Sequence, residues 1–247
     1  MGPEFADHAR GCSNTAAMTT EMDVVRWSAI LLAAVLTAAL GSEAHAGPAQ
    51  GGTVLFDDSF QGKLGPAWSW IREDPKCWRV GEHGLEVRIQ PGNMWGPAND
   101  ARNLLVRDAP DPKVQPVEIT AAVWNRPTHQ YEQVDLVWYY TDSDMVKIGE
   151  ELVNGKLSVV MGREENDKTR TIAIFPLDSN SVELRLRISG NQIHGQFKTP
   201  TGNWRDVGTC DLPVKGPPKI SLQFYQGPAN EEHWARVSEL TIRTNDK

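Results

Sequence analysis

The sequence predicts an all-β domain built as a two-sheet antiparallel β-sandwich. Nearly every segment after residue 52 alternates apolar and polar residues with the two-residue period of a strand, and turn residues separate the segments. No window repeats apolar residues with the 3.6-residue period of an amphipathic helix. The dipeptides Asn154-Gly155 and Gly190-Asn191 are typical of two-residue hairpins. Many short strands in one domain favour a sandwich, because each sheet has to bury one face.

The N-terminal part of the chain has the features of a leader followed by a bacterial secretory signal. Residues 24–46 contain Arg26, an apolar run and a small-x-small site ending at Ala46, after which we expect cleavage. The apolar run 27–40 is too short to be read as a membrane span. The mature protein is therefore expected to be secreted or periplasmic. The sequence divides into a leader with signal peptide, a linker and one domain, at residues 1–46, 47–52 and 53–247.

The charge and the hydropathy of the chain argue against two classes of partner. The whole chain has 32 acidic and 25 basic residues, of which segment 1–46 contains five and two. The remaining 27 acidic and 23 basic residues give a formal charge of −4. Neutralising phosphates needs clustered Lys and Arg, and no such cluster is present, so we expect no nucleic-acid partner. No apolar stretch after the signal approaches spanning length, so we expect no membrane partner either.

Two cysteines and two aspartates are candidates for a cross-link and a metal site. Cys77 and Cys210 lie one near each end of the domain, and an even pair in an exported chain favours a disulfide over two buried thiols. The chain has no CxxC or HxxxH spacing for zinc. Asp57 and Asp58 precede the first long loop and are weak candidates for a structural calcium, because the fixed spacing of a calcium loop is absent. No other cofactor is expected.

Residues 131–152 predict a hairpin with one apolar and one polar face. On its first strand the core row is Val134, Leu136, Trp138 and Tyr140, and the polar row is Gln133, Asp135, Val137 and Tyr139. On its second strand the matching polar row is Met145, Lys147, Gly149 and Glu151. Side by side, these rows bring Asp135 and Tyr139 close to Lys147 and Glu151. Glu150 falls in the apolar row, which requires either a bulge or a buried partner.

Four stretches occur in a recognisable order: FDDSF, WRVGEHGLEV, YEQVDLVWYYTDSDMVKIGEE and HWARVSELTI. In this order they resemble a concanavalin A-like jelly roll, in particular the domain of unknown function 1349 family and the C-terminal module of bacterial β-xylosidases. The resemblance covers roughly residues 53 to 244. It implies two stacked sheets whose concave face often meets a glycan, but no single activity. The Glu-x-Asp-x-x-Glu acid cluster of the jelly-roll glucanases is absent.

Aromatic residues suggest where a glycan could bind, because flat rings stack on sugars while amides and carboxylates hold hydroxyls. Trp95 lies in a loop of Gly, Pro and Asn, and Trp124 borders the loop before the hairpin; for both, a ligand-facing role and an ordinary structural role stay open. The candidate ligand-binding residues are Trp95, Trp124, Gln133, Asp135, Tyr139, Lys147, Glu151, Gln223 and Tyr225.

Catalysis is the alternative use of the same face. Asp135 and Glu151 are the carboxylates that strand geometry brings near the separation needed for glycoside hydrolysis, whereas Lys147 between them favours an ion pair. His194 is a candidate base for a lyase, with a tyrosine such as Tyr139 or Tyr225 as its partner, although a lone histidine on a polar row is commonly solvated. The sequence thus predicts a secreted, lectin-like carbohydrate-binding protein. A secreted glycoside hydrolase or polysaccharide lyase, and an adhesion or scaffold domain without a small ligand, stay open as alternatives.

Overall fold

A computed structural model describes residues 52–245, and every helix or strand that it assigns in this range is a β-strand. The all-β prediction is therefore confirmed; the predicted leader, signal peptide and cleavage site lie outside the described residues. Within that range no helix is long and apolar enough to cross a membrane. The strands are β1 (Val54–Asp58), β2 (Ser69–Ile71), β3 (Trp78–Gly81), β4 (Gly84–Arg88), β5 (Leu104–Asp108), β6 (Val117–Trp124), β7 (Gln133–Thr141), β8 (Asp144–Val153), β9 (Lys156–Glu165), β10 (Lys168–Pro176), β11 (Ser181–Ser189), β12 (Gln192–Lys198), β13 (Arg205–Asp211), β14 (Lys219–Tyr225) and β15 (Trp234–Thr244).

The strands form two antiparallel sheets. The front sheet has the order β10-β9-β8-β7-β14-β5-β2, and the back sheet has the order β13-β12-β11-β6-β15-β4-β3, with β1 also pairing with β15. Asn154 and Gly155 join β8 to β9 in the predicted two-residue hairpin, and their φ angles of 52° and 72° are both positive, as a type I′ turn requires. Pairing of β7 with β14 and of β6 with β15 joins strands far apart in the chain, as a jelly roll requires.

The core lies between the two sheets and follows the predicted alternation. Leu136 and Trp138 from the front sheet, and Leu184 and Leu186 from the back sheet, are fully buried in one apolar cluster. Burying a side chain of this size contributes about 1.5 to 3 kcal/mol relative to exposing it. The polar row of the hairpin consequently lies on the outer face of the front sheet.

Residues 89–103, which we call the covering segment, cross part of that outer face between β4 and β5. Met94 and Ala101 of this segment pack with five front-sheet residues in a second buried apolar cluster, namely Leu104, Val137, Tyr139, Met145 and Tyr225. Arg72 holds the segment in place: its Nε donates to the Ala101 carbonyl at 2.6 Å, and its Nη1 lies 2.7 Å from Asp142. Part of the predicted polar face is therefore buried under the segment.

The predicted disulfide is not formed. Cys77 and Cys210 are both free and buried. Cys210 lies in β13 and Cys77 directly precedes β3, and these strands are opposite edges of the back sheet. Six strand spacings of roughly 4.8 Å separate the two edges, whereas a disulfide needs Cα atoms within about 7 Å.

Thiol labelling tests this correction on the chain without residues 1–46. We expect two maleimide groups per molecule after unfolding in the absence of a reductant, because neither thiol is oxidised. Native labelling of Cys210 should be slow, because burial raises the pKa of its thiol to about 11. Mass spectrometry reads the number of labels, and a chain that accepts label only after reduction contradicts the structure.

Asp57 and Asp58 lie on β1 but do not form a metal site. The Asp58 carboxylate accepts from the Phe60 N–H at 2.7 Å, the Gly65 N–H at 3.0 Å and the Trp68 indole at 2.9 Å, so it fixes the loop that follows. Asp57 directly precedes Asp58 on β1. Successive side chains of a strand point to opposite faces, so the two carboxylates point away from each other. Among residues 52–245, no three acidic, His or Cys side chains come together in a way that would hold a metal ion.

Candidate functional site

An open cavity of about 470 Å³ lies on the outer face of the front sheet beside the covering segment. We call it the front cleft, and its volume falls within the range of small-ligand pockets. Strands β7 to β10 provide most of its surface, and the covering segment, Tyr131 before β7 and Gln226 after β14 provide the rest. It is lined by Asn93, Trp95, Tyr131, Gln133, Lys147, Glu151, Val153, Val160, Thr171, Ile174 and Gln226.

Pairing of β7 with β8 brings the predicted polar rows side by side. Gln133 lies opposite Glu151, Asp135 opposite Gly149, and Lys147 opposite Val137. Asp135 is therefore the diagonal neighbour of Lys147, and the long lysine side chain carries its ammonium further along the row to Gln133. Gly149 leaves room for Asp135, because a Cβ at that position would overlap the Asp135 carboxylate.

Lys147 is the centre of the polar network. Its ammonium donates to Gln133 Oε1, to Glu151 Oε2 at 3.2 Å and to the Tyr225 hydroxyl at 3.3 Å. Asp135 Oδ2 lies 3.6 Å from the same nitrogen. The lysine is only 3% exposed, so its charge is neutralised inside the protein and not by water. This arrangement is a buried ion-pair network on the floor of the front cleft.

Burial shifts the pKa values of this network. It raises the pKa of Asp135 to about 6, although Lys147 opposes the shift. Burial alone lowers the pKa of Lys147, but the carboxylates of Asp135 and Glu151 outweigh it, and the net pKa lies above its ordinary value. Neither oxygen of Asp135 has a hydrogen-bond partner among the described residues. Lys147 is thus charged, and it holds two carboxylates at once.

Trp95 enters the cleft from the covering segment. Its ring lies against Gly162 of β9, and the Lys147 ammonium is 5.2 Å from the ring centroid, within cation–π range. The next residue, Gly96, donates its N–H to Glu164 Oε2 at 3.1 Å, which fixes the backbone beside the indole. Burial raises the pKa of Glu164 to about 7, and the Gly96 N–H partly opposes the rise. The sequence predicted a loop position for Trp95, and its ring does line the cleft.

Replacing Gly162 with Ala tests the position of Trp95. A Cβ at residue 162 would overlap the indole ring, so we expect the ring to leave the strand surface and the domain to lose about 1 to 3 kcal/mol of unfolding free energy. Urea unfolding and tryptophan fluorescence measure the two effects. Gly81→Ala is the matched control, since a Cβ there meets no atom within 4 Å. Equal stability of the two variants would contradict the packing described here.

The apolar wall of the cleft was missed by the sequence reasoning. This wall consists of Tyr131, Val160 and Ile174. Tyr131 and Ile174 are each 48% exposed, and Val160 of β9 pairs with Ile174 of β10. Tyr131 lies two residues before Gln133, so extending the same alternation would have found it. Ile174 follows a register shift between Thr171 and Ala173, so simple alternation assigns it to the wrong face.

Several predicted site residues do not line the cleft. Asp135, Gln223 and Tyr225 lie on the expected face but are fully buried, and Tyr139 is buried under the covering segment with its hydroxyl donating to Asp142 at 2.8 Å. Two further candidates belong to the back sheet. Trp124 ends β6, where the Arg236 guanidinium stacks over its ring, and His194 on β12 pairs with Asp206 at 3.1 Å. The predicted groupings of Trp124 with the cleft rim and of His194 with Tyr139 or Tyr225 are therefore wrong, since both tyrosines belong to the front sheet.

The positions of Asp135, Glu151 and Lys147 can be compared with those that glycoside hydrolysis requires. Glycoside hydrolysis needs one carboxyl held as an acid and a second that is free to act as base or nucleophile. Here the Lys147 ammonium lies between Asp135 and Glu151, and the fully buried Asp135 does not reach the cleft surface. The two carboxylates and the ammonium thus form one ion-pair network, of which Glu151 and Lys147 line the cleft.

Comparison with known protein families identifies the family of this domain. A family model described as the β-xylosidase C-terminal concanavalin A-like domain matches residues 57–215. The chain belongs to this family. Membership confirms the predicted jelly roll and the likeness to the xylosidase C-terminal module, and it indicates a carbohydrate-related function. The likeness to the domain of unknown function 1349 family stays a prediction.

Solved structures of GH43 proteins share the fold of this family domain. The GH43 protein BlXynB from Bacillus licheniformis is 14% identical with a TM-score of 0.67, and the match covers 76% of this chain and 39% of that one. Xylan β-1,4-xylosidase from Bacillus halodurans C-125 is 18% identical with a TM-score of 0.65, covering 76% and 38%. Xyloglucan PUL GH43B from Bacteroides ovatus is 19% identical with a TM-score of 0.64, covering 76% and 39%. The chain thus spans about two fifths of these proteins, and at such identities the likeness is one of fold. A search of curated proteins gives no match.

Proposed function

We propose that this domain binds carbohydrate in the front cleft and does not cleave it. The observation that carries the proposal is an open cleft that combines exposed aromatic surface with a polar floor. Tyr131 is half exposed and Trp95 is partly exposed, so both offer ring surface to a sugar. Amide and hydroxyl groups of Asn93, Thr171 and Gln226 line the same space, and such groups both donate to and accept from sugar hydroxyls.

Binding is favoured over cleavage by the state of the carboxylates. Glu151 lines the cleft, but its Oε2 is occupied by Lys147 at 3.2 Å, and Asp135 is fully buried behind it. An oxygen that already accepts from the Lys147 ammonium, and a carboxyl that does not reach the cleft surface, are both poorly placed to act on a bound sugar. A scaffold role without a ligand is less favoured, because Trp95 and Tyr131 line a cavity instead of packing in the core.

A glycan array followed by product analysis tests the proposal. We expect retention of poly- or oligosaccharides without new reducing ends or unsaturated uronates. Trp95→Ala and Tyr131→Ala should each weaken binding to a confirmed glycan by up to about tenfold, since aromatic stacking contributes roughly 0.5 to 1.5 kcal/mol. Trp124→Ala is the matched control, because that tryptophan lies on the back sheet. Turnover of a bound glycan, or equal loss in the control, would overturn the proposal.

We further propose that the mature chain is exported. The support is the signal-like segment 24–46, and the measurement is the N-terminal sequence of protein recovered from the periplasm or medium of an expressing bacterium. A start at Gly47 is expected. Recovery of an intact N terminus from the cytoplasm alone would contradict export.

A further inference from the structure

We propose that the front cleft selects neutral glycans over glycans that contain uronic acids, with Glu151 as the specificity-determining residue. The inference rests on the proposed function and narrows it to one class of sugar. It differs from the simplest expectation for a lysine-containing site, which is that the ammonium binds a ligand carboxylate.

The Lys147 ammonium is not available to an acidic ligand. It is the one cationic residue among those described as lining the cleft, and it is 3% exposed. An ammonium has three protons to donate. Gln133, Glu151 and Tyr225 accept them, and Asp135 lies 3.6 Å away as a further counter-charge. A ligand carboxylate would have to displace one of these partners and leave it buried without a donor, which is costly.

Negative charge exceeds positive charge around the cleft. The buried carboxyl groups of Asp135, Glu151 and Glu164 surround the single ammonium of Lys147. Both Asp135 oxygens and Glu164 Oε1 lack a hydrogen-bond partner among the described residues, and the ammonium of Lys147 is shared among all three carboxyl groups. In a partly desolvated site the effective dielectric is far below that of water, and like charges repel over several ångströms. The carboxylate of a uronic acid therefore meets net repulsion.

Glu151 is the member of this group that a ligand can touch. It lines the cleft, its Oε2 is taken by Lys147, and its Oε1 accepts no hydrogen bond from any described residue. A free carboxylate oxygen accepts a strong hydrogen bond from a neutral sugar hydroxyl. The same oxygen repels a sugar carboxylate, so one atom supports both halves of the selectivity.

Three β-1,4-linked glucose-based tetramers form a matched set of probes: cellotetraose, its 6-carboxylate derivative and the glucosamine tetramer. Xylo- and mannotetraose extend the neutral class in case the cleft prefers another backbone. Titration calorimetry at pH 8 keeps Asp135 and Glu164 charged, given their pKa values of about 6 and about 7. We expect a neutral tetramer to bind at least about tenfold more tightly than the carboxylate derivative.

Glu151→Gln tests the residue assignment. Asp135 still faces Lys147 in this variant, and we expect the preference for the neutral over the acidic probe to fall at least threefold. Glu239→Gln removes an exposed charge from β15 of the back sheet and should leave the preference unchanged. If Glu151→Gln does not fold, a measurement of its unfolding shows this, and the probe series on the unaltered chain still decides the selectivity.

The outcomes separate two failures. If no neutral, acidic or cationic glycan binds, the proposed function fails and the selectivity with it. If the acidic tetramer binds as tightly as the neutral one, or the glucosamine tetramer binds most tightly, carbohydrate binding stands and the neutral-glycan inference is overturned. An unchanged preference in Glu151→Gln overturns the assignment to that residue.

Discussion

Replacing Lys147 with Met is expected to lower the free energy of unfolding by about 3 to 5 kcal/mol, the usual cost of removing one partner from a buried ion pair. The substitution keeps the length of the side chain but leaves Asp135 and Glu151 without their shared cation. Asp135 is fully buried and has no other hydrogen-bond partner among the described residues, so its charge would be uncompensated. Urea unfolding at pH 7 measures the loss.

The loss should also depend on pH in a defined direction. Burial already holds the pKa of Asp135 at about 6, and removal of Lys147 removes the main influence that lowers it. A raised carboxyl pKa gives stability that is complete below the unfolded value and is lost as pH rises through the folded value. The variant should therefore lose less stability at pH 5 than at pH 8.

Lys156→Met is the matched control for this substitution. Lys156 begins β9, is exposed and takes part in no ion pair among the described residues, so its replacement should change stability by less than about 0.5 kcal/mol. If Lys147→Met costs no more than this control, the ion-pair network is not buried as described.

The sandwich could be predicted because its information is local. Alternation assigned Leu136, Trp138, Leu184 and Leu186 to the core, and each is fully buried. A strand of known period has only two faces, so one correct assignment fixes its whole row. The Asn-Gly turn fixed the β8–β9 hairpin in the same way, because few residue pairs adopt two positive φ angles.

The candidate site was predictable only in part, because one of its determinants, the covering segment, is not local. Alternation brought Gln133, Lys147 and Glu151 to one face, which the structure confirms. It carried no information on the covering segment, whose residue Met94 packs on strands far away in sequence and buries Tyr225. Aromatic and polar residues of a strand look the same in sequence whether a loop covers them or not.

The disulfide prediction was wrong for a related reason. Two cysteines near the ends of a domain suggest a cross-link only if the fold brings those ends together. Here the jelly-roll order carries Cys77 and Cys210 to opposite edges of one sheet. Strand order depends on pairings between distant segments such as β6 with β15, and no local pattern in this sequence specifies them.

Glu150 leads to the second prediction of large effect. The sequence placed it in an apolar row and required a bulge or a buried partner, but the structure provides neither. Its strand pairs without a register shift near that position, the side chain is fully buried between the sheets, and both carboxyl oxygens lack a hydrogen-bond partner among the described residues. Burial raises its pKa to about 9, so the folded protein holds Glu150 uncharged at neutral pH.

A neutral carboxyl in the fold that ionises in the unfolded chain makes stability depend on pH. The contribution of Glu150 to the free energy of unfolding is complete below the unfolded pKa of about 4.5. It falls as pH rises toward the folded pKa of about 9. Between pH 5 and pH 8 this single group should lower the free energy of unfolding by about 4 kcal/mol, since each pH unit corresponds to roughly 1.4 kcal/mol. Glu150→Gln keeps the shape of the side chain and removes the titration, so this decrease should disappear.

The difference between the two unfolding curves, measured at several pH values, isolates Glu150. Asp135 and Glu164 titrate over the same range, but they are present in both proteins and lie on the other face of the front sheet, so their effects cancel if they are independent. Glu150→Met separates the charge from the unsatisfied amide of glutamine, because an apolar side chain of similar volume needs no partner. It should be the most stable of the three proteins at pH 8. Parallel curves for the original chain and Glu150→Gln would mean that Glu150 is charged in the fold, and a charge at that depth would require a cation within the sandwich core.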